Sequence, residues 1–139
     1  MESFDDVFFR YFFRSPLEHL FYALARGAVD IRDLPCRNLE EVLGGFGRSF
    51  QYLAARDVAD AFATENPMVV NTGLLTGSNV MTGLRTYFMA YSPLKRSLAG
   101  LPSAMWSTGS GKFGTKLRYL GVDEVVFTGR SESPVFLHI

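Results

Sequence analysis

The stretch NTGLLTGSNVMTGLRTYFMAYSPL, residues 71–94, sets the terms for any fold of this chain. Gly73, Gly77 and Gly83, with several hydroxyl residues, surround one cation, Arg85; the chain then turns apolar and stops at Ser92-Pro93-Leu94. The pattern reads as strand, turn, strand. MVVNTG is a buried strand running into a turn. TYFMAYS is a second strand, with Thr86, Phe88 and Ala90 on one face and Tyr87, Met89 and Tyr91 on the other.

The flanks are mixed. Residues 4–13 put Phe4, Phe8, Tyr11 and Phe12 at helical spacing, either as a core-packing helix or as an aromatic patch for a partner. LEHLFYALARG is compatible with helix or strand, whereas AVDIRDL alternates as a strand does. Asn38 is a candidate N-cap for a short helix that stops at GGFG, residues 44–47. A second helix is expected from Arg48 to about Ala63, with Phe50, Leu53, Ala54, Val58 and Phe62 on one side, broken by Glu65-Asn66-Pro67. Residues 95–112, rich in Gly, Ser, Thr and Pro, read as a long connection. KFGTKLRYLG reads as a short helix closed by Gly121, and DEVVFTG and SPVFLHI as two strands. A chain that ends in an apolar strand at Ile139 predicts pairing partners elsewhere, or a fold left incomplete at the C-terminus.

Composition narrows the function classes. The chain has 139 residues, 47% hydrophobic and 14% aromatic, enough for one packed domain. Fourteen basic and 14 acidic residues give no overall charge, and hence no electrostatic case for nucleic acid. One cysteine, Cys36, and two histidines, His19 and His138, cannot make a four-cysteine zinc or iron–sulfur site. The N-terminus opens with Glu2, Asp5 and Asp6 and lacks the basic start of a signal peptide. No window reaches the ~20 apolar residues of a membrane span. These features predict a soluble, cytoplasmic protein with neither a membrane nor a nucleic-acid partner.

Catalytic motifs are weak. TGSGKFG fails as a nucleotide phosphate loop, because Trp106 holds the first glycine position and Phe113 follows the lysine. Ser92-Pro93-Leu94-Lys95 matches S-x-x-K without the companion motifs of serine acyl-enzymes. No catalytic or metal-ligating residue is assigned. Asp123-Glu124 reads as a solvated charge pair, and Trp106 as a core, interface or ligand-shielding residue.

The order of motifs resembles a known family. ENPMVVNTGLLTG, TGLRTYFMAYSPL and SGKFGTKLRYLGVDEVVFTGRSESPVFLHI are similar to the N-terminal domain of tungsten-containing aldehyde ferredoxin oxidoreductases, in which E-N-P, G-P-L-T-G, an arginine-bearing strand ending S-P-L, and S-G-G-x-F-G follow one another. The likeness covers about residues 20–139, so residues 1–16 read as an aromatic N-terminal extension and 17–139 as a truncated domain. The resemblance implies an α+β, β-rich fold of two sheets with a few helices. It also implies a seat for a bis-pterin cofactor of tungsten or molybdenum, with magnesium between the pterin phosphates. On that reading Arg85 contacts phosphate or pterin oxygen, and Thr108, Gly109, Ser110 and Gly111, with Gly73, Thr76 and Gly77, shape the seat. In the family pattern Thr108 stands at an asparagine, Ser110 at a glycine and Phe46 at an arginine. An extra stretch near LAGLPSA precedes the glycine loop.

The family's 4Fe-4S cluster ligands and acid–base residues belong to later domains, and this chain alone cannot hold the cluster. The resemblance therefore implies a platform inactive alone, partnered by catalytic and iron–sulfur domains on a separate chain, or forming a homo-oligomer through an open sheet edge. The rival from another class is a cofactor-free interaction protein that keeps the fold; a non-functional fragment is the third reading.

Overall fold

In this computed structural model the described residues are 17–23, 28–34, 42, 45–134 and 136. Six strands form one mixed sheet. They are β1 (Leu17–Ala23), β2 (Ala28–Leu34), β3 (Met68–Thr72), β4 (Thr86–Arg96), β5 (Pro102–Gly109) and β6 (Val122–Thr128). Two helices accompany them, α1 (Gly45–Ala54) and α2 (Lys112–Tyr119). The strand order is β2-β1-β6-β3-β4-β5. The β1–β6 pair is parallel and the other neighbours are antiparallel. The architecture is α+β, and the described strands make one sheet where the resemblance implied two.

Register decides what each helix covers. Val69 lies opposite both Met89 and Val126, so these three share a face, and Leu53 of α1 packs on them. Val70 lies opposite Phe88 and Val125 on the other face, where Leu117 of α2 packs. A period-2 strand with apolar residues at successive positions has two faces to bury. One helix on each face buries them, at roughly 1.5–3 kcal/mol per fully buried aliphatic side chain. The expected faces of β4 hold: Met89 and Tyr91 point to α1, and Thr86 and Phe88 to α2.

Several expectations need correction. The α1 helix begins at Gly45, inside the glycine loop that was expected to stop a helix, and ends at Ala54, well before Ala63. Its buried stripe is Gly45, Ser49 and Leu53; the first two are small and let the helix lie close to the sheet, and Leu53 fills the core. Phe50 is 50% and Phe62 80% exposed, although Val58 is buried. The early stop has a local cause. Tyr91 Oη donates to the carbonyls of Leu53 and Arg56, and the Arg56 guanidinium donates to the Tyr52 carbonyl while lying over the Tyr52 ring. Side chains thus satisfy the last helical carbonyls.

The long connection at 95–112 is mostly strand. β4 runs on to Arg96, Ser97–Leu101 turns the chain, and β5 returns from Pro102. As an edge strand β5 needs only main-chain pairing on one side, so a Ser/Thr/Gly-rich sequence suffices, and its proline sits at the first position, where an edge tolerates it. Pro93 is accommodated by a register shift between Tyr91 and Arg96, where Ser92 Oγ accepts from the N–H groups of Leu94 and Lys95. LEHLFYA resolves as strand β1. The α2 helix forms as expected, with Gly121 at φ 83° just past its end. The aromatic segment 4–13, the Asn38 cap and most of SPVFLHI lie outside the described residues.

Candidate functional site

The β3–β4 turn, the end of β5 and the beginnings of both helices meet at one end of the sheet. Arg85 immediately precedes β4, and its carbonyl organises the turn. The Gly73 N–H donates to it at 3.2 Å and Thr76 Oγ1 at 2.7 Å. The Arg85 side chain is exposed, and its Nη1 donates to Thr108 Oγ1 at 3.2 Å. Thr108 lies opposite Tyr87 and Gly109 opposite Thr86, so β5 delivers the glycine loop beside the arginine.

Five of the eight candidate residues therefore converge directly: Arg85, Thr108, Gly109, Gly73 and Thr76. Ser110 and Gly111 continue the same loop into α2. Ser110 is not at positive φ; that conformation falls on Gly111, at φ 127°, where an added Cβ would meet nothing within 4 Å. Gly77 faces the other way, against Arg118 and Thr115 of α2, and the buried Thr76 hydroxyl is engaged with Arg85. Gly114 brings α2 onto the turn: a Cβ there would stand 2.4 Å from Thr86 Oγ1 and 3.0 Å from Thr76 Cγ2.

On the α1 face, Gly45 stands against Gly73 and the Tyr87 ring. Beneath it lies a buried polar group. Glu124 is 1% exposed and accepts from Asn71 Nδ2 at 2.6 Å, with Arg48 Nε 3.8 Å from the same oxygen. Asp123, on the other face, pairs with Arg118 of α2, whose guanidinium burial pushes below its ordinary value. The acidic pair expected to be solvated is thus buried, one carboxylate to each face, because β6 is a central strand and every side chain from Asp123 to Val126 points into a covered face.

Sequence reasoning missed three contributors. From sequence Tyr87 reads only as a strand residue, and nothing local marks Asn71 as a partner for Glu124. Phe46 reads from sequence only as a departure from the family arginine; its ring meets Trp106 edge-on, centroids 5.3 Å apart, and stacks with Phe50 at 6.3 Å. Trp106 is 59% exposed on β5, so it is an edge residue and not a core one. The available signal was the period-2 placement of Trp106 and Thr108 in a stretch read as loop. Among the described residues no group of three His, Cys, Asp or Glu side chains is placed to hold a metal ion. No helix among them is long and apolar enough to cross a membrane.

The chain is similar to known proteins in sequence and in fold. The tungsten-containing aldehyde ferredoxin oxidoreductase of Pyrococcus abyssi is 33% identical over 95 residues, 68% of this chain and 15% of that protein. The Pyrococcus furiosus protein of the same name is 27% identical over 119 residues, 84% of this chain and 18% of that one. Among solved structures, the active-site complex BamBC of benzoyl coenzyme A reductase, in complex with 1,5-dienoyl-CoA, superposes with a TM-score of 0.73 at 27% identity. That match covers 84% of this chain and 17% of that one. The chain therefore spans under a fifth of the length of these relatives. The family model described as aldehyde ferredoxin oxidoreductase, N-terminal domain, matches residues 20–139. With the strand–turn–Arg85–strand core inside that match, the chain belongs to the aldehyde ferredoxin oxidoreductase N-terminal domain family.

Proposed function

We propose that this chain is the cofactor-platform part of an aldehyde ferredoxin oxidoreductase-like enzyme, inactive without catalytic and iron–sulfur domains supplied elsewhere. The observation that carries the proposal is Arg85. Its guanidinium is exposed beside the glycine loop, and its hydrogen-bond partner is the neutral Thr108 hydroxyl, so its charge meets no carboxylate among the described residues. A fixed, uncompensated guanidinium next to bare main chain suits phosphate or pterin oxygens.

The residues present fit a bis-pterin group in two further respects. The open backbone at Gly111 allows close approach of main-chain atoms. The Gly73–Gly77 turn is held on the Arg85 carbonyl by the Gly73 N–H and the buried Thr76 hydroxyl, which leaves the Arg85 side chain exposed. On this reading Arg85 binds an anionic oxygen, Thr108 to Gly111 line the seat, and Gly73, Thr76 and Gly77 fix its shape. When bound, a tungsten or molybdenum bis-pterin, with magnesium on its phosphates, would supply the two-electron oxidation of an aldehyde to a carboxylate, with electrons leaving towards ferredoxin. This chain's part is to bind and orient. With Cys36 its one cysteine, it has no set of thiolates for a cluster.

The second reading is a cofactor-free interaction module. It is favoured by Phe46, which places an aromatic ring on Trp106 where the family resemblance has an arginine.

The test is elemental analysis of the untagged chain purified from its own host, with identification of co-purifying proteins. Tungsten or molybdenum, together with iron and a larger co-purifying chain, is expected, and Arg85→Ala is expected to lose the tungsten or molybdenum. A metal-free chain that still co-purifies with a partner, unchanged by Arg85→Ala, overturns the platform in favour of the interaction module.

A further inference from the structure

We propose that the outer edge of β5 is a docking site for an extended, acidic peptide segment of another protein, which joins the sheet as an added strand. β5 ends the sheet among the described residues, so its outer row of N–H and C=O groups has no strand partner there. Edge strands are ordinarily blunted by charged side chains, an internal proline or brevity. β5 has eight residues, none charged, and its proline is at the first position. At about 3.3 Å per residue it offers an edge roughly 26 Å long.

The side chains along it suit an alternating partner. Met105 and Trp106, adjacent and therefore on opposite faces, are 48% and 59% exposed. Trp106 is steadied from one side by Phe46. In strand addition the main-chain ladder supplies affinity, and alternate side-chain contacts supply selectivity.

Charge identifies the occupant. From Asn66 to Val122 the chain has no aspartate or glutamate, yet it carries Arg85, Lys95, Arg96, Lys112, Lys116 and Arg118. Overall neutrality hides this, because every acidic residue lies outside the segment. Arg118 is paired with Asp123. Arg85 stands at the Gly109 end of β5, while Arg96 lies opposite Pro102 at the other end, next to Lys95. The guanidinium of Arg96 donates to the Gly100 carbonyl, not to a carboxylate. A second copy of β5 pairing antiparallel would set Arg85 of one chain against Lys95 and Arg96 of the other, and like charges so placed repel. A segment with carboxylates at its ends and small apolar residues between them meets Lys95, Arg96 and the aromatic centre together, and meets Arg85 as well while no cofactor oxygen occupies it.

Trp106 is the only tryptophan in the chain, so its fluorescence reports on this edge directly. The full chain is titrated with the peptide Asp-Glu-Val-Thr-Val-Thr-Val-Glu-Asp and, separately, with the same core flanked by lysines. Expected are a saturable shift of Trp106 emission with the acidic peptide only, slowed amide exchange at residues 103–108, and weakening as salt rises. Lys95→Glu with Arg96→Glu should weaken the acidic peptide by about tenfold or more and create binding of the lysine-flanked one. The proposal is overturned if the two peptides bind equally or if millimolar acidic peptide leaves the emission unchanged. It is also overturned if single-stranded oligothymidylate binds more tightly than the peptide, or if β5 amides become protected with protein concentration alone, which marks a second copy.

Discussion

Asn71 Nδ2 donates to Glu124 Oε2 at 2.6 Å across the central β3–β6 pair, in a region closed to water. The carboxylate is also approached by Arg48 of α1, so one hydrogen bond couples the sheet interior to the helix that opens beside Gly73 and Tyr87. Asn71→Ala should destabilise the fold by about 2 kcal/mol, within the range for hydrogen bonds to charged groups. Chemical denaturation measures it; a loss below about 0.5 kcal/mol would mean that Glu124 is held by its other partners.

Gly114 places α2 against the β3–β4 turn more closely than any side chain allows. Gly114→Ala sets a Cβ 2.4 Å from Thr86 Oγ1 and should cost roughly 1–3 kcal/mol through overpacking. Removing the obstacle with Thr86→Ala in the same chain should recover most of that loss. A double-mutant cycle with no coupling would place the clash elsewhere.

Asn66 acts as a strand residue without being in a strand. Its Nδ2 donates to the carbonyls of Tyr91 and Ala61, and its Oδ1 accepts from the Tyr91 N–H. Asn66→Ala should lower stability by about 2 kcal/mol, since it leaves main-chain groups of β4 unpaired. Thermal unfolding of the variant and of Asn66→Asp, which keeps only the acceptor, separates the two halves of the clamp: the aspartate variant should fall between alanine and the parent.

Arg85 should behave in the opposite way. Its side chain is exposed, and its structural work is done by the main-chain carbonyl. Arg85→Ala should change the denaturation midpoint by the equivalent of less than about 0.5 kcal/mol, as for an ordinary surface substitution. A large loss of stability would make the side chain structural and remove the reason to read it as a binding group.

Local chemistry was enough to read much of this protein. Alternation gave β4 its two faces, the Gly121 stop gave α2 its end, and the motif order from Glu65 onward pointed to the family. Those features depend on residues a few positions apart, where steric and hydrogen-bonding preferences act. The tertiary structure decided what neighbours in space decide. β5 is a strand because β4 offers it a hydrogen-bonding edge; its Pro, Ser, Ala and Gly residues do not favour extension by themselves. Glu124 is buried because β6 lies between β1 and β3, with a helix over it, and the pair Asp123-Glu124 reads as surface until that order is known. Phe46 and Trp106, 60 positions apart in the chain, meet because α1 lies along the face of the sheet to which Trp106 points. A contact of that kind leaves no periodic trace in the sequence, since it arises from how elements pack and not from how any one of them forms.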